Sequence, residues 1–438
     1  MRIIKVALFF TICFIFFGFS LSQSMRPVVC EKAKPSVYVG NDGRVFYKGA
    51  FEDKNDYSNR FLPYLARIVQ YFDAKGIKIV TIPIPGSGSV YLDQINREKP
   101  SEKDFVKINA AQILQNYRLM SDSLSSLGTV NIDVLAYLNR LHKEKPDLKL
   151  YFLADGHWTP ESAKYIADIV GQEIMSLAIE KESLFQKKFE LQISGQDKMK
   201  DGATILLIRR AYCPDFSAPE EQFFKYISVR VEENLSSQEA LFGDEKSPVL
   251  LFGSSYSRFS FAEFLKHSLQ SEVIDYKLGG GMAFGSMINE FSRPNFTLNG
   301  VKLIVWEFPT QSQMLDVPYA LNSINSYRQI IPSLNHPGKI ISSQVIYKYD
   351  QEIVFGKYSR TKKHFYLKIE LLDNGLRDFS AYINYGSSQE LFNFKREFGS
   401  NLNNFFVEMI DGNSLKSVRF DMPKGYTGKI QIEMYEYD

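Results

Sequence analysis

Apolar residues recur along this chain with two different spacings. Residues 36–50, "SVYVGNDGRVFYKGA", alternate around Asn41-Asp42-Gly43, the pattern of a β-hairpin. "RFLPYLARIVQYFDAKG" has apolar residues at helical spacing and stops at Gly76. "IKIVTIPIP" reads as a buried strand leading into "GSGSVY", a structural turn that lacks the residues of a phosphate loop. "DFVKINAAQILQNYRLMSDSLSSLG" predicts a helix and a turn; "VNIDVLAYLNRLHKEKP" predicts a short strand and another helix. "DLKLYFLAD" reads as a strand, and "TPESAKYIADIVGQEI" as a helix capped by Thr159 with Pro160 at its first position. A polar stretch and "ATILLIRR" follow, then the strand "PVLLFGSSYS" and the helix "RFSFAEFLKHSL". "SEVIDYKLGGG" and "VKLIVWEFP" add two strands. Strands alternating with helices imply an α/β fold built on a largely parallel sheet.

From about Ser342 the spacing switches to period two. "QVIYKYDQEIVFG", "KKHFYLKIELLD", "DFSAYINYG", "NNFFVEMID", "SVRFDMP" and "GKIQIEMYEYD" alternate, with turns between them. This predicts an all-β sandwich. The expected division is an α/β domain over 36–335 and a β-sandwich over 340–438, with a hinge at "IPSLNHPGK", Ile331 to Lys339.

The N-terminus differs from both. Arg2 and Lys5 precede an apolar run from Val6 to Phe19, followed by Ser20, Ser22 and Ser24. That is the pattern of a signal peptide over 1–24, with an uncleaved anchor as the alternative. Either way the body of the chain is expected to be exported. Cys13 lies within the signal; Cys30 and Cys213 remain and are expected to form a disulfide in an oxidising compartment. A formal net charge of +2 argues against a nucleic-acid partner. The 25 Tyr and 35 Phe require burial or a flat ligand surface such as a sugar.

Candidate chemistry sits in two segments. "LLFGSSYS" places a Gly-x-Ser turn directly after a buried strand and before a helix, with Ser255 as the third residue of the turn. Taken alone, this is also ordinary turn chemistry. "FLADGHWTP" places Asp155, His157 and Trp158 at the end of another strand. Of the five histidines, only His157 lies at a strand end beside an acid. If both strands belong to one sheet, Asp155, His157 and Ser255 meet at its carboxyl edge as an acid–base–nucleophile relay. Trp158 is expected to pack beside the base. Neither the His pairs nor the Cys clusters of a zinc site are present, and no cofactor is expected.

"DGHWTP" and "GSSYS" resemble the Asp-x-His-Trp-Thr-Pro and Gly-x-Ser-x-Ser signatures of the AlgX-like and AlgJ-like alginate O-acetyltransferases. The order, Asp155 and His157 before Ser255, is that family's reversal of the order in ordinary SGNH hydrolases. "YKLGGGM" and "LIVWEFP" resemble further family segments. The resemblance covers roughly 36–330. Gly156 stands where the family often has His, and Phe308 where it often has Tyr. It implies an SGNH-hydrolase-like fold and acetyl transfer through Ser255, with oxyanion donors from Ser255 and from Gly279, Gly280 or Gly281. Cys30 and Cys213 fall where AlgX-like proteins place a disulfide. The C-terminal sandwich favours the AlgX-like arrangement, with a carbohydrate-binding module. The implied setting is the periplasm, with an exopolysaccharide substrate (alginate or a related uronate polymer), a membrane-bound acetyl-donor protein and other secretion-complex components. A polysaccharide acetyl esterase and a non-catalytic polymer-binding scaffold are the alternatives. Tyr347, Tyr349, Tyr358, Tyr382, Tyr385, Tyr426, Tyr435 and Tyr437 are candidates for stacking on sugars, and Lys362, Lys363, Lys395 and Arg396 for meeting carboxylates.

Overall fold

The computed structural model describes residues 37–39, 44–47, 62–94, 110–153, 155–176, 184, 187–199, 220–231, 247–310, 324–334, 339–347, 352–355, 364–372, 376, 378–395, 403–409 and 415–437. The signal segment, Cys30, Cys213, "ATILLIRR", Tyr349, Tyr358, Lys362, Lys363 and Arg396 lie outside the described residues.

Strands β1 (Val37–Val39) and β2 (Val45–Tyr47) pair antiparallel, as the Asn-Asp-Gly pattern predicts. Helix α1 (Leu62–Asp73) ends at Gly76, whose φ of +70° a side chain would strain. Strand β3 (Lys78–Ile84) follows, and "GSGS" then forms a one-turn buried helix, α2 (Ser87–Val90), rather than an open turn. Next come α3 (Ala110–Ser126), β4 (Val130–Asn131) and α4 (Val134–Glu144), whose first turn is capped by Asp133 accepting from the Ala136 amide. The chain continues through α5 (Pro160–Ser176), β5 (Phe189–Met199), β6 (Glu221–Arg230), β7 (Val249–Phe252), α6 (Phe261–Leu269), β8 (Val273–Asp275), α7 (Gly285–Phe291), β9 (Leu303–Pro309) and α8 (Ile324–Leu334).

Five strands form a parallel sheet in the order β4-β3-β9-β7-β8. Every residue of β7 and β9, and all but the first of β3, is buried. Helices cover both faces of such a sheet, so its inner strands read as continuous apolar runs. Each fully buried Val, Leu or Ile there stabilises the fold by about 1.5–3 kcal/mol. One charged residue, Glu307, interrupts these runs.

The polar stretch after α5 holds an unpredicted element. Strands β5 and β6 form an antiparallel ribbon laid on α6. Tyr226 packs on Phe264, and the Glu263 carboxylate accepts from the Ser228 amide and hydroxyl.

The C-terminal region consists of β10 (Lys339–Ile346), β11 (Ile353–Val354), β12 (His364–Leu371), β13 (Asp378–Asn384), β14 (Gln389–Lys395), β15 (Asn404–Glu408), β16 (Ser417–Asp421) and β17 (Ile430–Tyr437). They make two four-stranded antiparallel sheets, β10-β17-β12-β15 and β11-β16-β13-β14. Leu367, Ile369, Phe405 and Val407 from one sheet meet Ala381, Ile383, Phe392 and Phe394 from the other in a sandwich core.

The expected hinge begins inside a helix. Residues 331–334 complete α8 despite Pro332, and 335–338 lie outside the described residues. Helix α8 packs on β15, where the buried Arg328 donates to the Glu408 carbonyl at 2.7 Å and pairs with Glu390. Arg67 of α1 pairs with Glu408 at 2.8 Å and donates to the Tyr437 hydroxyl at 2.9 Å. Tyr366, Tyr435 and Tyr437 join the core of the α/β domain. Tyr385, Tyr435 and Tyr437 are therefore buried structural residues, not sugar platforms.

Candidate active site

Two segments build the site. Strand β7 ends at Phe252, and Gly253 begins a tight turn where the chain has no room for a side chain. A Cβ on Gly253 would lie 2.1 Å from the Ser257 hydroxyl oxygen. Ser254 caps the following 3₁₀ turn, Ser255–Arg258, by accepting from the Tyr256 amide at 3.2 Å. Helix α6 begins only at Phe261, after Ser260 in the left-handed region at φ 61°. Ser255 thus opens a 3₁₀ turn after the strand, as the turn pattern predicts, and the helix expected from Arg258 starts three residues later, at Phe261.

The second segment corrects the sequence reading. The described residues of 147–155 form no sheet strand; a single antiparallel bridge joins Tyr151 to Trp158. The backbone is occupied elsewhere. The Leu150 amide donates to the Tyr91 hydroxyl, the Phe152 amide to the His157 carbonyl and the Leu153 amide to Glu221. Arg44 donates to the Tyr151 and Phe152 carbonyls, and Val45 to the Leu153 carbonyl. With these groups satisfied the loop needs no sheet neighbour. Thr159 then leads into α5, and its hydroxyl accepts from the Ser162 amide.

This scaffold brings the three predicted side chains together. His157 Nε2 lies 2.7 Å from Ser255 Oγ, and His157 Nδ1 is hydrogen-bonded to Asp155 Oδ1. The same Oδ1 accepts from the His157 amide at 2.9 Å, which fixes loop and imidazole together. Asp155 is buried, His157 is 14% exposed and Ser255 is partly exposed, so the chain of groups opens outward at the hydroxyl. Burial alone would raise the Asp155 carboxyl, but the hydrogen bonds and charge of His157, with Arg258 nearby, hold it below the ordinary carboxylate range.

Aromatic rings wall the imidazole. Tyr256 lies 4.6 Å and Phe259 5.6 Å from it, centre to centre. The Tyr256 hydroxyl donates to the Gly156 carbonyl at 2.6 Å. Trp158 is fully buried, packs on Phe261 and donates to the Tyr256 carbonyl at 2.9 Å. Its indole lies edge-on to Tyr256, the ring that in turn faces the imidazole.

The glycine segment is tied to the nucleophile turn, since the Leu278 amide donates to the Gly253 carbonyl at 3.0 Å. The Gly281 amide is engaged by the Leu278 carbonyl and is not an oxyanion donor, a correction to its candidacy. Gly279 and Gly280 are exposed, and Gly280 turns at φ +78°.

Sequence reasoning assigned no role to Tyr256, Phe259 or Glu307. A carboxylate inside an otherwise apolar strand was the available signal for Glu307. It is fully buried and accepts from the Ser254 amide (2.9 Å), the Ser254 hydroxyl (2.7 Å) and the Ser257 hydroxyl (2.6 Å). Burial, chiefly, pushes its carboxyl up to about 7. Among the described residues no cluster of His, Cys, Asp and Glu is arranged to hold a metal ion.

The serine at the carboxyl end of a parallel strand, hydrogen-bonded through histidine to aspartate, sits in an α/β protein of the SGNH-hydrolase-like class. The chain belongs to the AlgX/AlgJ-like alginate O-acetyltransferase family: the family model described as "SGNH hydrolase-like domain, acetyltransferase AlgX" matches residues 37–310. It is 28% identical over 269 residues to the alginate biosynthesis protein AlgX of Pseudomonas fluorescens, covering 60% of this chain and 52% of that protein. To the probable alginate O-acetylase AlgJ of Pseudomonas aeruginosa it is 24% identical over 306 residues, 67% of this chain and 74% of the other. The chain thus spans about half the length of the AlgX relatives it matches. The solved structure of Pseudomonas aeruginosa AlgX superimposes with a TM-score of 0.74 at 16% identity, over 92% of this chain and 94% of that one. The O-acetyltransferase domain of Pseudomonas putida AlgJ gives 0.51 at 18% identity, over 68% and 100%.

Proposed function

We propose that this protein is a periplasmic O-acetyltransferase that moves an acetyl group, through a Ser255 acetyl-enzyme, onto hydroxyls of an exopolysaccharide. The observation that carries the reading is the hydrogen-bonded chain Asp155–His157–Ser255. His157 Nε2 takes the Ser255 proton as Oγ attacks the acetyl carbonyl. Asp155, held ionised, stabilises the imidazolium that forms. The Ser255 amide, with Gly279 or Gly280, meets the developing oxyanion; losing one such donor costs about 2.7–4 kcal/mol of transition-state stabilisation. Collapse expels the donor group, which takes the proton from His157. A sugar hydroxyl then gives its proton to His157 and attacks the acetyl-enzyme, and Ser255 is restored.

An exported enzyme has no access to cytosolic acetyl-CoA, so the acetyl group comes from a membrane-bound donor protein. The sandwich holds the polymer. Its β11-β16-β13-β14 sheet presents Tyr382, with the Arg419 guanidinium 4.5 Å from the ring centre, and Tyr347 stands 66% exposed at the end of β10. Among the described residues, these two of the eight candidate tyrosines and Tyr426 remain in this role, and Tyr349 and Tyr358 lie outside the described residues.

The reading is tested by incubating the purified protein with an acetyl ester and uronate oligosaccharides. Acetylated sugar from the wild type, and none from Ser255→Ala, is the expected result. Free acetate alone would make the protein an esterase. No Ser255-dependent product at all would leave it a scaffold.

A further inference from the structure

Glu307 is an expensive residue. A carboxyl group with no exposure must recover its lost hydration from hydrogen bonds, and among the described residues no cation pairs with it. Asp275 of β8 is the nearby charge, and it is of the same sign. An apolar residue would continue the strand at lower cost. All three hydrogen bonds that Glu307 accepts come from the turn that carries Ser255.

Their placement is specific. Strand β9 runs parallel to β7 with Trp306 opposite Phe252, which sets Glu307 beside Gly253, where β7 stops. The bare Gly253 leaves room for the carboxyl: a Cβ at that position would lie 3.2 Å from Glu307 Oε2. Through Ser254 the carboxyl holds the residue before Ser255, and through Ser257 the residue two after it. The Trp158 indole holds the Tyr256 carbonyl between them. Strand β9 is itself fixed, because the Trp306 indole donates to the Ala283 carbonyl at 2.6 Å. Residues 254, 256 and 257 are thereby tied inward, and Ser255 projects its hydroxyl 2.7 Å from His157.

We propose that Glu307 is a positioning residue: its carboxyl clamps Ser254 and Ser257 on either side of Ser255 and so aims the hydroxyl at His157. The proposal rests on Ser255 being the nucleophile. A clamp of this kind changes the rate of the chemical step more than substrate binding, because a nucleophile misplaced by an ångström loses about 100-fold.

The test is the rate at which phenylmethanesulfonyl fluoride labels Ser255, read by intact mass, beside kcat and KM for an acetyl ester. Folding of each variant is checked by circular dichroism and thermal midpoint. Glu307→Ala is expected to slow labelling and lower kcat about 100-fold with KM unchanged. Glu307→Gln keeps one acceptor, and its amide can donate to a reoriented Ser254 hydroxyl. It should recover to within about 10-fold of wild type. Ser257→Ala removes one arm and should slow labelling about 10-fold, which supplies the test if Glu307→Ala does not fold. A folded Glu307→Ala, or in its absence Ser257→Ala, that labels at the wild-type rate would overturn the proposal. A wild type that is not labelled at Ser255 would overturn the reading beneath it as well.

Discussion

At the residue scale, the site depends on one carboxylate oxygen. Asp155 Oδ1 accepts from both the imidazole and the amide of His157, so it sets ring orientation and loop shape together. Asp155→Asn should preserve the fold, favour the wrong imidazole tautomer and lower kcat about 10⁴-fold; steady-state kinetics on an acetyl ester checks this. Glu307 makes a second residue-scale prediction. Its carboxyl is raised from 4.5 to about 7, so folded and unfolded states bind its proton equally below about pH 4.5. As pH rises, the unfolded state ionises first and stability falls, with a full penalty above pH 7 of about 3 kcal/mol. Denaturant unfolding at pH 5 and pH 8 should show the wild type losing about that much relative to Glu307→Gln. A difference independent of pH would contradict the assignment. The sequence showed the catalytic candidates because Asp155, His157 and Ser255 stand in recognisable short motifs. Glu307 was hidden because its partners lie some fifty positions away, across a strand pairing that no local pattern displays.

At the element scale, the turn after β7 is crowded by design. Gly253→Ala would drive a methyl group into Ser257, 2.1 Å from its hydroxyl oxygen and 2.8 Å from its Cβ. The expected result is a loss of about 1–3 kcal/mol in denaturant unfolding, together with slower labelling of Ser255. Strand periodicity was legible wherever a strand was buried on both faces, as in β3, β7 and β9. It misled at "DLKLYFLAD", whose Leu150, Tyr151 and Phe152 side chains are buried while its backbone bonds to Arg44, Glu221, Tyr91 and its own loop. It was silent for β5 and β6, where exposed polar positions mask the side that rests on α6.

At the scale of the whole molecule, the two domains are joined more firmly than a Pro–Gly linker suggests. Arg328 reaches from α8 to β15 and β14, and Arg67 from α1 to Glu408. Arg328→Ala leaves the Glu408 carbonyl and Glu390 without this partner. It should cost about 3 kcal/mol and split one unfolding transition into two. Calorimetry that shows a single transition at an unchanged midpoint would contradict the coupling. The alternation of apolar residues announced a sandwich, yet gave no sign that Tyr435 and Tyr437 join the core of the neighbouring domain and that Tyr385 is buried in the sandwich core rather than facing solvent.

The most direct test of the central claim is to mix purified protein with an acetyl ester, quench in acid and map the product by mass spectrometry. Acetylation of the peptide bearing Ser255, absent in Ser255→Ala and discharged by oligosaccharide, is the outcome expected. An unacetylated Ser255 peptide, or equal acetylation of the Ser255→Ala protein, would contradict it.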